Sequence, residues 1–245
     1  MTTTGRLGLP FLEANQKQEE VTVNEAFALL DAVVQAAVLD RDLTAPPGGP
    51  SEGDAYLVGA GATGDWSGWD GDIAVYTATA WVRIVPDEGW RAFVEDEGVI
   101  AVYFDGAWRD GLVAASEFGA MTRNVIFETE LTGLSGATAD ATDLVPARTL
   151  IEAISVRVTD AITGATGFDV GIVGNGGAGD FGGVGAALGQ SNIGIVDGVR
   201  ATFSPTTIRL TATGGSFTGG AVRVAVHGLA FRGAAGVMEG EHANA

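Results

Sequence analysis

Apolar and polar residues alternate along much of the chain, and this alternation predicts a mainly β protein. The pattern is clearest in VRVAVHGL, where every second residue points to the same face of a predicted strand. The residues on that face are Val222, Val224, Val226 and Gly228. Similar segments separated by glycine-dense stretches predict an antiparallel β-sandwich or jelly roll over 151–232, followed by a flexible tail at 233–245.

A nine-residue motif, IAVY followed by Trp five positions later, occurs twice in the middle of the chain. Its copies are IAVYTATAW at 73–81 and IAVYFDGAW at 100–108, with an offset of 27 residues. Each copy has a short turn between its Tyr and its Trp, and in the second copy this turn contains Asp105-Gly106, a favoured two-residue hairpin turn. We therefore predict two related β-hairpins inside a Trp-rich β repeat domain at 54–112. The strands predicted there are 55–58, 72–76, 80–85, 90–94, 99–104 and 107–111.

Three- and four-residue spacing of apolar positions predicts one amphipathic helix over 23–39. Thr22 and Glu25 have the T-x-x-E spacing of a capping box at its start. The apolar stripe consists of Phe27, Leu30, Val34, Ala37 and Val38, widened by Val33. This stripe either docks on the chain's own β domain, which is the slightly favoured interpretation, or bundles with other copies around a symmetry axis.

The first twenty residues predict an extended arm, because Gly5, Gly8 and Pro10 disfavour a helix. The arm is too apolar to remain free in water, so it packs either against its own domain or against a neighbouring subunit or capsid. The candidate contact residues of the arm and helix are Leu7, Leu9, Phe11, Leu12, Phe27, Leu30 and Val34. We define 1–44 as the arm-and-helix segment, separated from the repeat domain by a Pro/Gly linker, and 113–150 as a linker or transition.

Charge and composition exclude several classes of function. The 245-residue chain has 13 basic and 31 acidic residues, a net charge of −18, and we expect neither nucleic-acid nor anionic-membrane binding. It has no cysteine, so disulfides and thiolate chemistry are excluded. The N-terminal sequence does not have the pattern of a secretory signal, and we expect a protein that works outside the cell to leave by lysis within an assembled particle.

No motif in the sequence predicts catalysis, a metal site or a cofactor. The glycine-rich GNGGAGDFGG at 174–183 lacks the Lys-Ser/Thr and the helix of a phosphate loop, and a loop between strands is the simpler interpretation. Asp65, Asp70 and Asp72 offer oxygen ligands but not the spacing of an EF-hand, so solvated turn carboxylates are favoured over a calcium site. We expect a protein that is not an enzyme and that has no catalytic, metal or cofactor residues.

All five tryptophans lie between positions 66 and 108. Clustered Trp and Tyr side chains either stack on sugars or form the core of a small module. The repeated Ile73, Tyr76 and Trp81 favour packing. Trp66 and Trp69 lie in a Gly/Asp-rich turn, and we expect them to be the exposed candidates for contact with a glycan.

Residues 6–110 resemble a domain family of unknown function found in phages and gene transfer agents. The segments that carry the resemblance are RLGLPFLEANQKQEEVTVNEAFALLDAVVQ, DLTAPPGGPSEGDAYLV, GATGDWSGWDGDIAVY and PDEGWRAFVEDEG. The later run from AITGATGFDVGIVG to AVRVAVHGL is similar to a β module that often follows this domain.

The resemblance implies a virion structural or adsorption protein, and it is strongest to the proteins at the base of the head spikes of gene transfer agents. Such a base is attached to capsid vertices and holds a fibre that contacts polysaccharide on the host. The implied partners are the capsid protein, the spike fibre protein and further copies of the chain, with a pentamer favoured at a fivefold vertex. The implied location is a virion-like particle, made in the cytoplasm and released by lysis. The alternative is a receptor-binding module that itself binds host surface polysaccharide.

Overall fold

The structure of the protein is a computed structural model that describes residues 29–77, 80–174 and 177–233, except for the side chains of 196–199. The fold is mainly β, as the alternation of apolar and polar residues predicts. The chain divides into two compact units, Met1–Leu112 and Val113–Ala245. The predicted arm and flexible tail lie outside the described residues.

The first unit contains two small sheets. In one sheet the order is β2-β3-β4, and in the other it is β1-β5-β6-β7. All neighbouring pairs are antiparallel except β1 and β5, which are parallel. The strands are β1 (Ala37–Val38), β2 (Ala55–Leu57), β3 (Ile73–Thr77), β4 (Ala80–Ile84), β5 (Arg91–Val94), β6 (Val99–Phe104) and β7 (Ala107–Asp110). Each predicted strand of the repeat region is therefore present, with bounds that differ by at most one residue.

Each sheet of the first unit contains one copy of a three-stranded meander, β2-β3-β4 in one and β5-β6-β7 in the other. Tyr76 pairs with Trp81, and Tyr103 pairs with Trp108, so the hairpins predicted from the repeat are present. The likeness extends to the preceding strand, because Tyr56 faces Ala74 as Ala92 faces Ala101. The turns that enter the meanders also match at an offset of 36 residues. In the first, Gly53 N donates to the carbonyl of Tyr76, and in the second Gly89 N donates to that of Tyr103, both at 2.8–2.9 Å.

This second offset extends the repeat in the sequence. PSEGDAYLV at 50–58 aligns with PDEGWRAFV at 86–94 through shared Pro, Glu-Gly and a final Val. Because this part is offset by 36 residues and the hairpins by 27, the first copy holds nine extra residues between β2 and β3. That longer connection, which includes a 3₁₀ turn at Gly64–Trp66, carries two of the five tryptophans.

The predicted helix ends earlier than expected. Residues 29–33 are helical, and the final helical hydrogen bond runs from Val34 N to the Leu30 carbonyl at 2.9 Å. Gln35 then adopts a positive φ of 54°, the left-handed conformation that commonly ends a helix. The predicted extension to residue 39 is wrong, because the last part of the stripe is strand β1; its β-branched Val38 is buried within the sheet.

The segment around β1 joins the two meanders. The carbonyl of Ala36 accepts a hydrogen bond from Phe93 N of β5, and that of Val38 accepts one from Glu95 N directly after β5. Leu39 N donates to the Ala55 carbonyl of β2 at 2.8 Å. Apolar side chains of the helix, among them Leu29 and Val33, pack on the core that this arrangement encloses. The favoured interpretation that the stripe docks on its own β domain is therefore confirmed for Val33 but not for Val34, which is 61% exposed.

The second unit is a sandwich of two antiparallel sheets, with the orders β10-β15-β12-β13 and β14-β11-β16-β9-β8. Its core contains buried residues from both sheets, such as Val170 and Leu210 from one and Val156 and Val224 from the other. The strands are β8 (Leu112–Ala115), β9 (Met121–Thr132), β10 (Thr138–Val145), β11 (Thr149–Thr163), β12 (Gly167–Ile172), β13 (Gly183–Gly185), β14 (Ser191–Ala201), β15 (Thr206–Thr213) and β16 (Gly219–Arg232).

The interpretation of 113–150 as a linker or transition is wrong. Strand β9 pairs with β16 along twelve residues, and β10 pairs with β15 on the other sheet. The segment NVIFETELT alternates apolar and polar residues, with Phe127 and Leu131 packed against the core. Its charged residues, such as Glu128 and Glu130, lie on the exposed outer face of the sheet. In the sequence these residues give the segment the polar composition of a linker.

The glycine-rich segment forms a loop between strands β12 and β13, as predicted. Phe181 is 2% exposed and joins the sandwich core, so it anchors the loop against the sheet. Asn192 Nδ2 donates to the Phe181 carbonyl at 3.0 Å, and Asp180 forms an ion pair with Arg200 at 2.9 Å. Residues 175–176 of this segment lie outside the described residues.

Candidate functional site: an aromatic cleft on the first unit

An open cleft of about 440 Å³ lies on the first unit beside the hairpin β3–β4. Three aromatic side chains, three prolines and one carboxylate dominate its lining. The lining residues are Pro46, Pro47, Pro50, Asp65, Trp69, Tyr76, Ala80 and Trp81. The cleft is therefore formed by the Pro/Gly linker, the longer connection of the first meander and its hairpin.

The connection between β2 and β3 is fixed by hydrogen bonds at both of its ends. Val58 and Gly71 close it, since Gly71 N donates to the Val58 carbonyl at 2.8 Å. The Asp70 carboxylate accepts hydrogen bonds from the backbone N–H groups of Gly61 and Ala62, and these hold the pKa of Asp70 below its usual value. These contacts form a rigid frame for Asp65 and Trp69.

The carboxylate of Asp72 is buried at the end of the same connection. It accepts a hydrogen bond from the Arg83 guanidinium, so its negative charge is paired within the first unit. Asp72 is thus not a solvated turn carboxylate, because it is buried and ties the loop to β4. Asp70 is exposed, as predicted, and it also stabilises the backbone of the loop. Asp65 and Asp70 are both exposed, and of the three carboxylates it is Asp65 that lines the cleft.

Trp81 packs against three other aromatic rings, those of Tyr56, Trp66 and Tyr76. The ring centroids of Trp66 and Trp81 are 5.0 Å apart at 83°, and those of Tyr76 and Trp81 are 5.1 Å apart at 62°. Tyr56 lies 5.8 Å from Trp81 and completes the cluster. Burial raises the pKa of Tyr56, and the charges of Asp54 and Asp40 raise it further, so its phenol stays neutral. Such edge-to-face packing fixes the orientation of Trp81.

The expectation that Trp66 is an exposed glycan contact is wrong, because its side chain is 0% exposed. The 3₁₀ turn directs Trp66 into the core with Tyr56 and Ala74, and its indole N–H has no hydrogen-bond partner among the described residues. Trp69 is half-buried and does line the cleft. Of the two predicted sugar contacts, only Trp69 can reach a ligand.

The repeated aromatic residues have different environments in the two meanders. Tyr103 and Trp108 pack edge to face at 5.3 Å, much as Tyr76 and Trp81 do. In the second copy, however, the indole N–H of Trp108 donates to the Gly71 carbonyl at 2.9 Å, and the ring packs on the core. Ile73 is buried whereas Ile100 is 58% exposed, so equivalent positions of the repeat do not all have a packing role.

The structure describes two of the predicted subunit or capsid contacts. Leu30 is half-buried, and Val34 is 61% exposed. The remaining candidates, Leu7, Leu9, Phe11, Leu12 and Phe27, lie outside the described residues. Their role in contacts between subunits stays a prediction.

The second unit has an apolar surface on the outer face of its five-stranded sheet. Ile195, Ala153, His227 and Ile126 lie side by side on four neighbouring strands, and Ile193 follows on the next row. Ile126, Ile193 and Ile195 are 64%, 68% and 77% exposed. We call this surface the isoleucine face. It could not be located from sequence without the strand register, which alone brings these distant residues together.

The isoleucine face also contains a Ser–His pair, with Ser155 Oγ and His227 Nε2 at 2.9 Å. Neither residue lines the cleft or the cavity of about 320 Å³ beside the exposed Phe203. In the part of the chain that the structure describes, no three His, Asp or Glu side chains are grouped so that they could hold a metal. Likewise, none of the described helices is long and apolar enough to cross a membrane.

The comparisons with known proteins give a match to a family model and matches to chains of solved structures. No curated protein is significantly similar to the chain. A chain in the solved structure "Cyanophage Pam1 capsid asymmetric unit" is similar at 17% identity and a TM-score of 0.31, over 48% of this chain and 91% of that chain. Residues 23–109 match the model of a family described as a protein of unknown function (DUF2793). The family match thus covers the segment from the helix to strand β7, and this segment contains the cleft.

Proposed function

We propose that the chain is a structural protein of a phage-like particle, and that it forms the base of a spike at capsid vertices and holds a host-binding fibre. The resemblance of residues 6–110 to a domain family of phages and gene transfer agents supports this setting. The role requires no catalysis. It requires at least two protein-binding surfaces, one for the capsid or for other copies of the chain and one for the fibre.

The observation that carries this proposal is the isoleucine face. Three isoleucines with more than 60% exposure on one sheet face are unfavourable in a chain that works alone, because such surfaces promote association. The first unit offers a second surface, the aromatic cleft. The chain therefore has one candidate protein-binding surface on each unit, as a base joining two partners needs. Attachment at a fivefold vertex favours a pentamer.

The second candidate function is direct binding of host polysaccharide in the cleft. Trp69 favours it, and Tyr76 and Trp81 take the place of the buried Trp66 as stacking surfaces. A sugar ring also presents several hydroxyl groups. Apart from the aromatic N–H and O–H groups, the cleft offers one polar side chain to them, Asp65. This candidate is therefore second to the structural role.

The proposal can be tested by adding the purified chain to particles assembled in cells that lack it. We expect the chain to sediment with these particles and to appear at the vertices in electron micrographs. Multi-angle light scattering should give the mass of a homo-oligomer in solution. A monomer that does not bind the particles would contradict the proposal.

Matched variants connect this test to the isoleucine face. Ile195→Asp places a charge on that face, and we expect it to weaken binding to particles or to other copies. Ile100→Asp makes the same change at an exposed isoleucine of the first unit, which is 58% exposed, and serves as the control. Equal behaviour of the two variants would show that the isoleucine face is not the contact. Deletion of residues 1–20 tests the predicted role of the arm in the same assay.

A further inference from the structure

The cleft on the first unit combines aromatic faces with an uncompensated negative charge. Asp65 is exposed at its edge, and no Lys or Arg is among its lining residues. Two arginines of the unit pair with other carboxylates: Arg83 with Asp72, and Arg41 with Glu97 at 2.5 Å. The whole chain has a net charge of −18. The electrostatics thus favour a cationic ligand over a neutral or anionic one.

The ligand-facing surface of the cleft is also organised before any ligand binds. Trp81 is held by Tyr76 at its side and by the fully buried Trp66 behind it. The prolines of the linker add rigid walls, since their backbone φ is fixed. A volume of about 440 Å³ accommodates one large side chain and part of its backbone. A surface that needs no rearrangement loses less entropy on binding.

We propose that the cleft binds an arginine side chain of a partner protein. A guanidinium group stacks on indole and phenol faces, and its planar set of N–H donors matches a carboxylate such as Asp65. Lysine offers a point charge without the planar stacking group, and a sugar does not use the charge of Asp65. The inference rests on the proposed role as a base that holds another protein, and it names the chemistry by which one surface recognises that protein.

The probe is the peptide acetyl-Gly-Arg-Gly-amide, and the observable is the set of indole N–H signals in ¹H–¹⁵N spectra of the full chain. We expect saturable shifts for Trp69 and Trp81 in the millimolar range. Trp108 serves as an internal control, because its indole N–H is bonded to the Gly71 carbonyl and its ring does not line the cleft. The same peptide with citrulline, a neutral analogue of arginine with nearly the same shape, should not produce these shifts.

Two substitutions locate the site. Asp65→Asn removes the charge but keeps the shape, and it should weaken binding by about fivefold, as expected for an exposed charge pair. Trp69→Ala should weaken binding to a similar degree by removing one stacking face. Asp96→Asn removes one charge from an exposed position of the same unit that does not line the cleft, and it should leave binding unchanged.

The proposal is overturned if the citrulline peptide binds as tightly as the arginine peptide. It is equally overturned if the same peptide with lysine in place of arginine binds as tightly as the arginine peptide. It is also overturned if methyl glucoside shifts the signals of Trp69 and Trp81 while the arginine peptide does not, in which case the cleft is a sugar site. If the arginine peptide fails but the chain still binds particles, the structural role stands and only the assigned ligand is wrong.

Discussion

Trp66 and Trp69 lie three positions apart in the same glycine-rich turn, yet Trp66 is buried behind Trp81 whereas Trp69 lines the cleft. The difference comes from the 3₁₀ turn at Gly64–Trp66, which ends with Trp66 directed inward against Tyr56 and Trp81. Residue types alone could not predict this, because DWSGWDG shows no periodicity that separates a buried side from an exposed one. The sequence predicted both tryptophans as exposed contacts, and this is wrong for Trp66 but consistent with Trp69, which lines the cleft.

The burial of Trp66 predicts a large effect on stability. Trp66→Ala should lower the free energy of unfolding of the first unit by about 3–5 kcal/mol, because it leaves a cavity under Trp81. Trp69→Ala, at a half-buried position, should lower it by about 1 kcal/mol. Urea denaturation monitored by far-UV circular dichroism measures both. Similar losses for the two variants would contradict the distinct roles given to these residues.

At the level of elements, the duplicated meander was the most predictable part of the chain. Its hairpins follow from the repeated motif and from Asp105-Gly106, whose φ values of 52° and 69° are both positive as a type I′ turn requires. The Glu88 carboxylate accepts hydrogen bonds from the backbone N–H groups of both turn residues, at 3.1 and 3.3 Å. The end of the helix was not predictable, because Val38 fits an apolar stripe of either helical or strand spacing.

The turn geometry predicts the effect of replacing its glycine. Gly106→Ala should destabilise the first unit by about 1–2 kcal/mol, the approximate cost of a left-handed conformation for a residue with a Cβ. The cost is conformational rather than steric, since a Cβ at this position has no atom within 4 Å. Gly48→Ala is the matched control, with equally open surroundings and no positive φ. Thermal unfolding of the three proteins gives the comparison, and equal midpoints for all three would refute it.

On the scale of the whole molecule, each unit has its own buried core. The core of the sandwich is built from alternating residues of long strands such as β11 and β16, and this alternation made its fold class readable from sequence. The extent of the sandwich was not readable, because β9 and β10 carry polar residues on their outer face and resemble a connection. The isoleucine face was missed for a related reason, since it depends on the register between distant strands.

Two separate cores predict that the chain can be divided. A cut at Gly111, between β7 and β8, keeps every described strand intact within one fragment. We expect fragments 1–110 and 111–245 each to unfold in one cooperative transition, with β-type circular dichroism spectra. Calorimetry of the two fragments and of the full chain provides the measurement. The absence of a cooperative transition in 111–245 would contradict an independent sandwich.

The nine extra residues in the first meander have a practical consequence for protein engineering. The two copies of the meander have loops of different length at the same position. The loop of the first copy, between β2 and β3, is long, and that of the second copy, at 95–98 between β5 and β6, is short. Lengthening a loop by this amount costs only about 1 kcal/mol in closure entropy. The tip at 95–98 is thus a suitable place to insert a foreign epitope or a labelling tag. A chain that carries its cargo there would keep the cleft of the first copy intact for display on particles.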